Sequence, residues 1–132
     1  MPANPYRSPI PDELWDRIRD EFGLPALEQV RERLATRFPN PEPVIRQLFR
    51  VFIDQETFCP AFQFQPDVSL NPVVTGLFER AIEQRIPHNY IALWMMSPCT
   101  ALDGARPVDR LQPGNAPALV TALETTLARA VA

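Results

Sequence analysis

Sixteen prolines in 132 residues constrain this chain more than any other feature. A proline at the first position of a helix costs little, because its missing N–H would have no helical partner there and its φ is already helical. After residue 11, most of the prolines lie at the start of a segment whose apolar residues follow a helical period. The prolines therefore mark the starts of helices and do not indicate low complexity.

A chain of this length fits one domain with a real hydrophobic core. Hydrophobic residues make up 45% and charged residues 22%, which are ordinary globular values. No apolar run approaches the roughly 18 residues of a membrane span, and residues 1–15 contain no apolar stretch of signal-peptide length. We expect a cytoplasmic protein without a membrane segment.

Three helices are predicted in residues 1–70, the N-terminal half. The first follows Pro11 and stops at Gly23, the second covers 25–38, and the third covers 41–53 with Asn40 as its N-cap. The inward positions of the first and third helices are predicted to be Leu14, Trp15, Ile18, Phe22, Val44, Ile45, Leu48, Phe49 and Phe52, and those of the second Leu27, Val30 and Leu34. These stripes are too apolar to be left in water, so we expect both halves to fold as one cooperative unit.

Residues 54–70 lack a helical period and are predicted to form one irregular, ordered crossover loop with a short extended stretch at 62–65. Its phenylalanines are expected either to seal the junction between the two halves or to form a dimer surface. They are Phe58, Phe62 and Phe64.

Residues 71–132 are predicted to contain the remaining helices. Asn71 and Pro72 open a helix over 72–86, with Val74, Leu77, Phe78, Ala81 and Ile82 inward. Later helices are opened by Pro87, by Pro107 and by Asn115, which is predicted to cap a last helix lined by Leu119, Val120, Leu123 and Leu127. The expected fold is all-α, a compact bundle of six or seven short helices with no convincing sheet.

One segment, residues 94–111, resembles the toxin-binding domain of the Xre/MbcA/ParS antitoxin family. The family pattern is approximately W-x-x-S/T-P, then L-x-G-x-x-P-x-D-x-L, then a helix rich in Val and Leu. Eight positions match it: Trp94, Ser97, Pro98, Leu102, Gly104, Pro107, Asp109 and Leu111. With the helices before and after it, the resemblance covers residues 71–130, and residues 1–70 match no family.

Folding alone explains much of this motif. Ser97 and Pro98 end a helix, Gly104 permits a left-handed turn, and Pro107 restarts the chain in helical φ. For Asp109 we predict a capping or helix-dipole role, and for Trp94 and Leu111 packing in the core.

The resemblance implies a bacterial toxin–antitoxin system, in which this scaffold presents its last helix and C-terminal tail to a toxin enzyme. It implies a toxin of the RES-domain class, which consumes NAD, inhibited by blocked access to its active site. The candidate partner contacts are Arg110, Gln112, Thr125 and Arg129. The antitoxin itself would need no cofactor.

Members of the family usually carry a DNA-binding helix-turn-helix before this domain, and here the sequence departs from the pattern. The turn between the second and third helices is a rigid Pro-Asn-Pro-Glu-Pro, unlike the short turn of a DNA-binding helix-turn-helix. All thirteen basic residues are arginine, and with sixteen acidic residues the net charge is −3. Because nucleic-acid binding usually needs a basic excess, we do not expect DNA binding.

The sequence offers little for catalysis or metal binding, and we expect neither an enzyme nor a metalloprotein. Cys59 and Cys99 have no zinc-like spacing and are expected to be reduced, partly buried thiols. His88 is interpreted as an ordinary helix-start residue, and Met95 and Met96 as packing residues. Two alternatives to the antitoxin stay open: a helical DNA-binding regulator, and an interaction module that kept the scaffold with a different partner, with a homodimer as a further option.

Overall fold

The computed structural model describes residues 9–128. The elements in chain order are α1 (Glu13–Glu21), α2 (Leu27–Arg37), α3 (Glu42–Gln47), β1 (Val51–Ile53), β2 (Glu56–Phe58), α4 (Pro72–Glu83), α5 (His88–Met95) and α6 (Ala116–Ala122), which continues as a π-helix over Leu123–Ala128. Short 3₁₀ turns lie at Ala61–Gln63, Thr100–Leu102, Pro107–Arg110 and Pro113–Asn115. The prediction of an all-α fold is confirmed, with one small hairpin that the sequence pattern did not indicate.

The helix α1 begins and ends as its sequence predicts. Leu14, Trp15 and Ile18 form its buried face. Its last carbonyls are satisfied by the backbone, since the N–H groups of Phe22 and Gly23 both donate to Ile18 O at 2.9 Å. Gly23 has a φ of +107°, a conformation that an L side chain rarely adopts, so the glycine itself ends the helix.

The helices α2 and α3 form a second, smaller core. Val30 and Leu34 of α2 pack there with Ile45, Leu48 and Cys59. Asn40 Oδ1 accepts a hydrogen bond from Glu42 N at 3.2 Å, so its side chain caps the start of α3 as predicted, although Pro41 occupies the N-cap position.

The predicted helix over 41–53 is wrong beyond Gln47. Leu48 turns into extended backbone with ψ 133°, and Val51–Ile53 pairs antiparallel with Glu56–Phe58. The two-residue turn between the strands has positive φ at both Asp54 and Gln55, 50° and 70°, which is the geometry of a type I′ hairpin. The prediction that Phe52 faces inward is therefore wrong, because its side chain is 50% exposed.

Two amide side chains hold the segment that replaces the end of the predicted helix. Gln63 accepts a hydrogen bond from Phe49 N at 2.8 Å and donates to Phe49 O at 2.9 Å. Asn89 does the same for Phe52, accepting from its N–H at 2.9 Å and donating to its carbonyl at 2.7 Å. Each amide therefore satisfies both polar groups of one backbone residue, as a neighbouring strand would.

The crossover loop over 54–70 is ordered, but its predicted extended stretch at 62–65 is mostly wrong. Phe62 and Gln63 lie in a 3₁₀ turn, and Phe64 alone is extended, in an isolated bridge with Leu70. Phe62 packs edge-on against the rings of Phe22 and Phe49, with centroids 5.6 and 5.8 Å apart. The ring therefore joins α1 to the extended segment within the N-terminal half, and its expected role at the junction between the halves stays a prediction.

The helices α4 and α5 largely match their predictions. Asn71 caps α4 by accepting from Val73 N at 2.9 Å, and α5 ends before Pro98. Two details differ. The helix α4 ends at Glu83, three residues earlier than expected, and Ile82 lies at the edge of the buried stripe with 44% of its surface exposed.

The main core crosses the boundary that the sequence places between residues 70 and 71. Leu14, Ile18 and Phe49 from the N-terminal half lie in one cluster with Trp94 and Leu119 from the C-terminal half. Within the C-terminal half a further link is electrostatic, since Arg80 Nε on α4 donates to Glu124 Oε1 at 2.6 Å. Between residues 9 and 128 the two proposed regions therefore share their largest core.

Candidate partner-binding surface

The motif segment starts in the core and moves to the surface. Trp94 on α5 is fully buried, as predicted, and its Nε1 has no hydrogen-bond partner among residues 9–128. Ser97 Oγ donates to Leu93 O at 2.6 Å, which ties the residue after the helix to its last turn. Pro98 is exposed and prevents the helix from continuing.

A tight turn follows over 99–105 and depends on Gly104. The N–H of Gly104 donates to Cys99 O at 2.9 Å, and Cys99 N donates to Ala105 O at 3.0 Å. Gly104 has a φ of +85°, and a Cβ at this position would have nothing within 4 Å, so the requirement for glycine is conformational and not steric. The turn presses Leu102, half-buried, against the main core.

Asp109 lies in the first turn of Pro107–Arg110, where the predicted helix-dipole role places it, but its side-chain hydrogen bonds go to an arginine. Its carboxylate accepts hydrogen bonds from the Arg106 side chain at 2.9 and 3.1 Å, and no capping bond to a backbone N–H is formed. Arg106 also donates a hydrogen bond to each carboxylate oxygen of Glu21 on α1, both at 3.0 Å. These bonds hold the pKa of Asp109 and of Glu21 below their ordinary values.

Arg106 is the residue joining the motif segment to α1 that the motif comparison missed. It belongs to none of the eight matched positions, yet it fastens the turn segment to the other end of the chain. Two forked carboxylate pairs fix its guanidinium more firmly than a single surface ion pair would. The only sequence signal for the Arg106–Asp109 pair was their separation of three residues, which is typical of ion pairs on one helical turn.

Of the remaining motif positions, Pro107 is buried and Leu111 is half-buried against the main core, so core packing of Leu111 holds only in part. The chain then turns into α6. Asn115 occupies the N-cap position, but the prediction that its side chain caps the helix is wrong. Its Nδ2 instead donates to Arg110 O at 3.3 Å and to Gln112 Oε1 at 3.0 Å.

Three of the four candidate contacts lie on the surface. Arg110, Gln112 and Thr125 are exposed, whereas Arg129 lies outside the described residues. Thr125 Oγ1 donates back to Thr121 O at 2.9 Å, so its methyl group remains for a partner. The inner face of the same helix belongs to the core, since Leu119, Leu123 and Leu127 are fully buried.

The last helix lies directly against the motif turn. Cys99 Sγ is 3.6 Å from Thr126 Oγ1, and Leu119 joins the same core as Leu102. The turn segment and the last helix are therefore packed against each other through side chains of the main core.

The two cysteines are free and more deeply buried than expected. Burial raises the pKa of the Cys59 thiol to about 11, so it stays protonated at neutral pH. Among residues 9–128, no three His, Cys, Asp or Glu side chains are grouped so that they could hold a metal ion. In the same range no helix is both long and apolar enough to cross a membrane.

His88 begins α5, as predicted, and is held in one tautomer. Its Nδ1 lies 3.1 Å from Arg50 O, so Nδ1 carries the proton and donates. The ring packs between Phe78 and Phe52, with centroids 5.0 and 5.2 Å away. Burial, with the nearby Arg50 charge, lowers the pKa of His88 below its ordinary value of 6.5.

The lowered pKa of His88 predicts that the stability of the protein depends on pH. The unfolded chain binds the proton more tightly than the folded one, so the free energy of unfolding should fall as the pH drops through 6.5. His88 is the only histidine, and the carboxylates with lowered pKa titrate well below this range. Urea unfolding at pH 7.5 and 5.5 measures the effect.

The control is His88→Gln, which removes the titrating group. Its free energy of unfolding should be nearly the same at the two pH values, whatever its absolute stability. An equal pH dependence in wild type and variant would contradict the assignment.

Comparison with known proteins adds no relative: no family model, no curated protein and no solved structure matches the chain. The structure defines a predominantly helical protein whose motif segment is an ordered part of its surface.

Proposed function

We propose that this protein is an antitoxin, or an antitoxin-like protein, that binds and neutralises a partner enzyme. The observation that carries the proposal is the packing of the motif turn against the last helix, together with the exposure of Arg110, Gln112 and Thr125. The resemblance implies that such a scaffold presents its last helix and C-terminal tail to the toxin. A toxin of the RES-domain class is the partner that the resemblance implies.

The physical case is that the surface is already ordered before a partner arrives. Arg106 bonds both Glu21 and Asp109, and Gly104 closes the turn through Cys99. A rigid surface loses little conformational entropy on binding, which favours tight association at modest area. Inhibition would then need no chemistry from the antitoxin, because an occupied active site is enough.

The fold favours this proposal over DNA reading. The helix α3, which would be the recognition helix, has only six residues and spans about 9 Å. Arg46 of α3 and Arg50 just after it line a cavity together with Glu79 and Glu83, so that face carries both signs of charge. A duplex needs a basic surface.

The test is co-expression with the product of the neighbouring gene, using variants of the exposed surface. Deleting residues 114–132 would be uninformative, because it removes Leu119, Leu123 and Leu127 from the core. The double variant Arg110→Glu with Thr125→Arg leaves that core intact. We expect it to lose both co-purification with the toxin and the relief of toxicity.

The matched control is Arg33→Glu, an exposed charge reversal on α2. It should retain rescue and complex formation, and all variants should unfold at the wild-type temperature. Full rescue by the double variant would contradict the proposed surface. Failure of every chain, wild type included, to bind any neighbouring gene product would contradict the function.

A further inference from the structure

Two large apolar side chains, Phe52 and Ile82, are exposed among residues 9–128, and they line two neighbouring depressions that share His88. Ile82 lines a cavity of about 510 Å³ between α3, α4 and the start of α5. The ring of Phe52 packs on His88, which lines the same cavity. Single exposed apolar residues are ordinary, but Phe52 and Ile82 lie on depressions joined through His88 and so form one patch.

The charges around this patch are divided by element. Arg46 and Arg50 line the cavity from α3 and the residues after it, and Glu79 and Glu83 line it from α4. Neither arginine forms an ion pair with either glutamate within the described part of the chain. The cavity therefore separates a basic wall from an acidic wall.

The basic wall also contains a polar atom that lacks a partner. Arg50 Nε is buried and has no hydrogen bond in the range 9–128. On the other wall Glu83 bonds Arg80 at 3.1 Å, while Glu79 is exposed. Such a surface suits neither a simple anion, which the glutamates would repel, nor a simple cation, which the arginines would repel.

A second copy of this chain satisfies both walls at once. Under a two-fold rotation the basic wall of each copy meets the acidic wall of the other, and the apolar residues meet near the axis. We propose that this surface, defined by Arg46, Arg50, Phe52, Glu79, Ile82 and Glu83, is the interface of a homodimer. It shares no residue with the partner surface over 97–125, so one dimer would leave both toxin-binding sides open.

The first measurement is molar mass by light scattering across a range of protein concentrations. Wild type should rise with concentration from the chain mass of 15.0 kDa towards twice that value. Arg46→Glu and Glu79→Arg should each weaken association at least about tenfold, because each places like charges opposite one another twice per dimer. The matched controls are Arg33→Glu and Glu32→Arg on α2, which should dimerise as wild type does.

A mixture of the two variants identifies the partner as a second copy. In the mixed dimer the carboxylate introduced at position 46 of one variant meets the guanidinium introduced at position 79 of the other. The unchanged Glu79 of the first variant meets the unchanged Arg46 of the second. Within each variant's own dimer the like charges remain, so recovery of dimers on mixing can arise only between the two different chains. The combined variant Arg46→Glu with Glu79→Arg should also dimerise alone.

Several results would overturn the proposal. They are a wild type that stays monomeric at every concentration, a dimer that tolerates both reversals, and single variants that fail to recover on mixing. Thermal unfolding of each variant at low concentration checks folding, and both substituted side chains are exposed. The result is independent of the toxin, because these measurements use the purified chain alone.

Discussion

Replacing Gln63 by leucine should lower the free energy of unfolding by about 3–5 kcal/mol. The side chain is 2% exposed and makes three hydrogen bonds, from Phe49 N and to the carbonyls of Phe49 and Pro60, all between 2.8 and 2.9 Å. Leucine offers none of them, so three backbone groups would lose their partners in a site with little access to water. Urea unfolding followed by circular dichroism measures the loss.

The matched control is Gln65→Leu, the same change two residues along the chain. Gln65 is exposed, and its side chain donates a single bond to Leu70 O at 3.2 Å, so water replaces it at little cost. We expect a loss of about 1 kcal/mol or less there. Equal losses at the two positions would show that Gln63 does not hold the extended segment.

A second substitution, Gln63→Glu, separates hydrogen bonding from side-chain volume. The carboxylate keeps the acceptor for Phe49 N but places a charge against two carbonyl oxygens, so its pKa should lie above that of an exposed glutamate. The protonated form regains one donor. The variant should therefore recover stability relative to wild type as the pH falls, whereas Gln63→Leu should not.

The side-chain amides of Gln63 and Asn89 explain why the prediction of a helix over 41–53 failed. Val44, Ile45, Leu48 and Phe49 continue a helical stripe, and the pattern contains nothing to stop the helix at Gln47. The helix is replaced by an extended segment because Gln63 bonds Phe49, fourteen residues before it, and Asn89 bonds Phe52, thirty-seven residues before it. Local periodicity cannot register a partner at that separation.

The hairpin was missed for a related reason. Val51, Phe52 and Ile53 have good strand propensity, but they follow an apolar helix without a break. The turn at Asp54 and Gln55 lacks the Asn-Gly or Asp-Gly pair that usually marks a type I′ hairpin. Gln55 accepts its positive φ because the pairing on both sides requires it.

Helix starts were predicted well because their determinants are local. Asn71 caps α4 through its own side chain, and Pro87 precedes α5 as its fixed φ favours. Asn115 shows the limit of that rule, since it stands at the N-cap position while its side chain bonds Arg110 O and Gln112 and makes no bond to the helix.

The candidate partner-binding surface was predictable only in part. Exposure of Arg110 and Gln112 follows from their place beside turns, which a sequence pattern can indicate. The ion pair between Arg106 and Glu21 was not predictable, because eighty-five residues separate the two side chains in the sequence. Only the folded chain brings them together.

Removing the ring of Phe49 should have an effect as large as the loss of Gln63, and it tests whether the halves fold together. The side chain is 1% exposed, stacks on Phe78 of α4 at 5.1 Å and meets Phe62 edge-on at 5.8 Å. Phe49→Ala should therefore cost about 3–5 kcal/mol, as deletion of a buried ring usually does. The loss should appear in one unfolding transition, because the ring joins residues from both sides of position 70.

Phe52→Ala is the matched control, since it deletes the same ring three residues later where half the surface is exposed. Its loss should be about 1 kcal/mol or less, measured at low concentration so that association contributes nothing. The two probes that distinguish the halves are Trp15 and Trp94, because one lies on α1 and the other on α5. If fluorescence of variants keeping only one of these tryptophans shows separate transitions, and only one responds to Phe49→Ala, the shared core does not couple the halves, and residues 9–70 form a domain with its own stability.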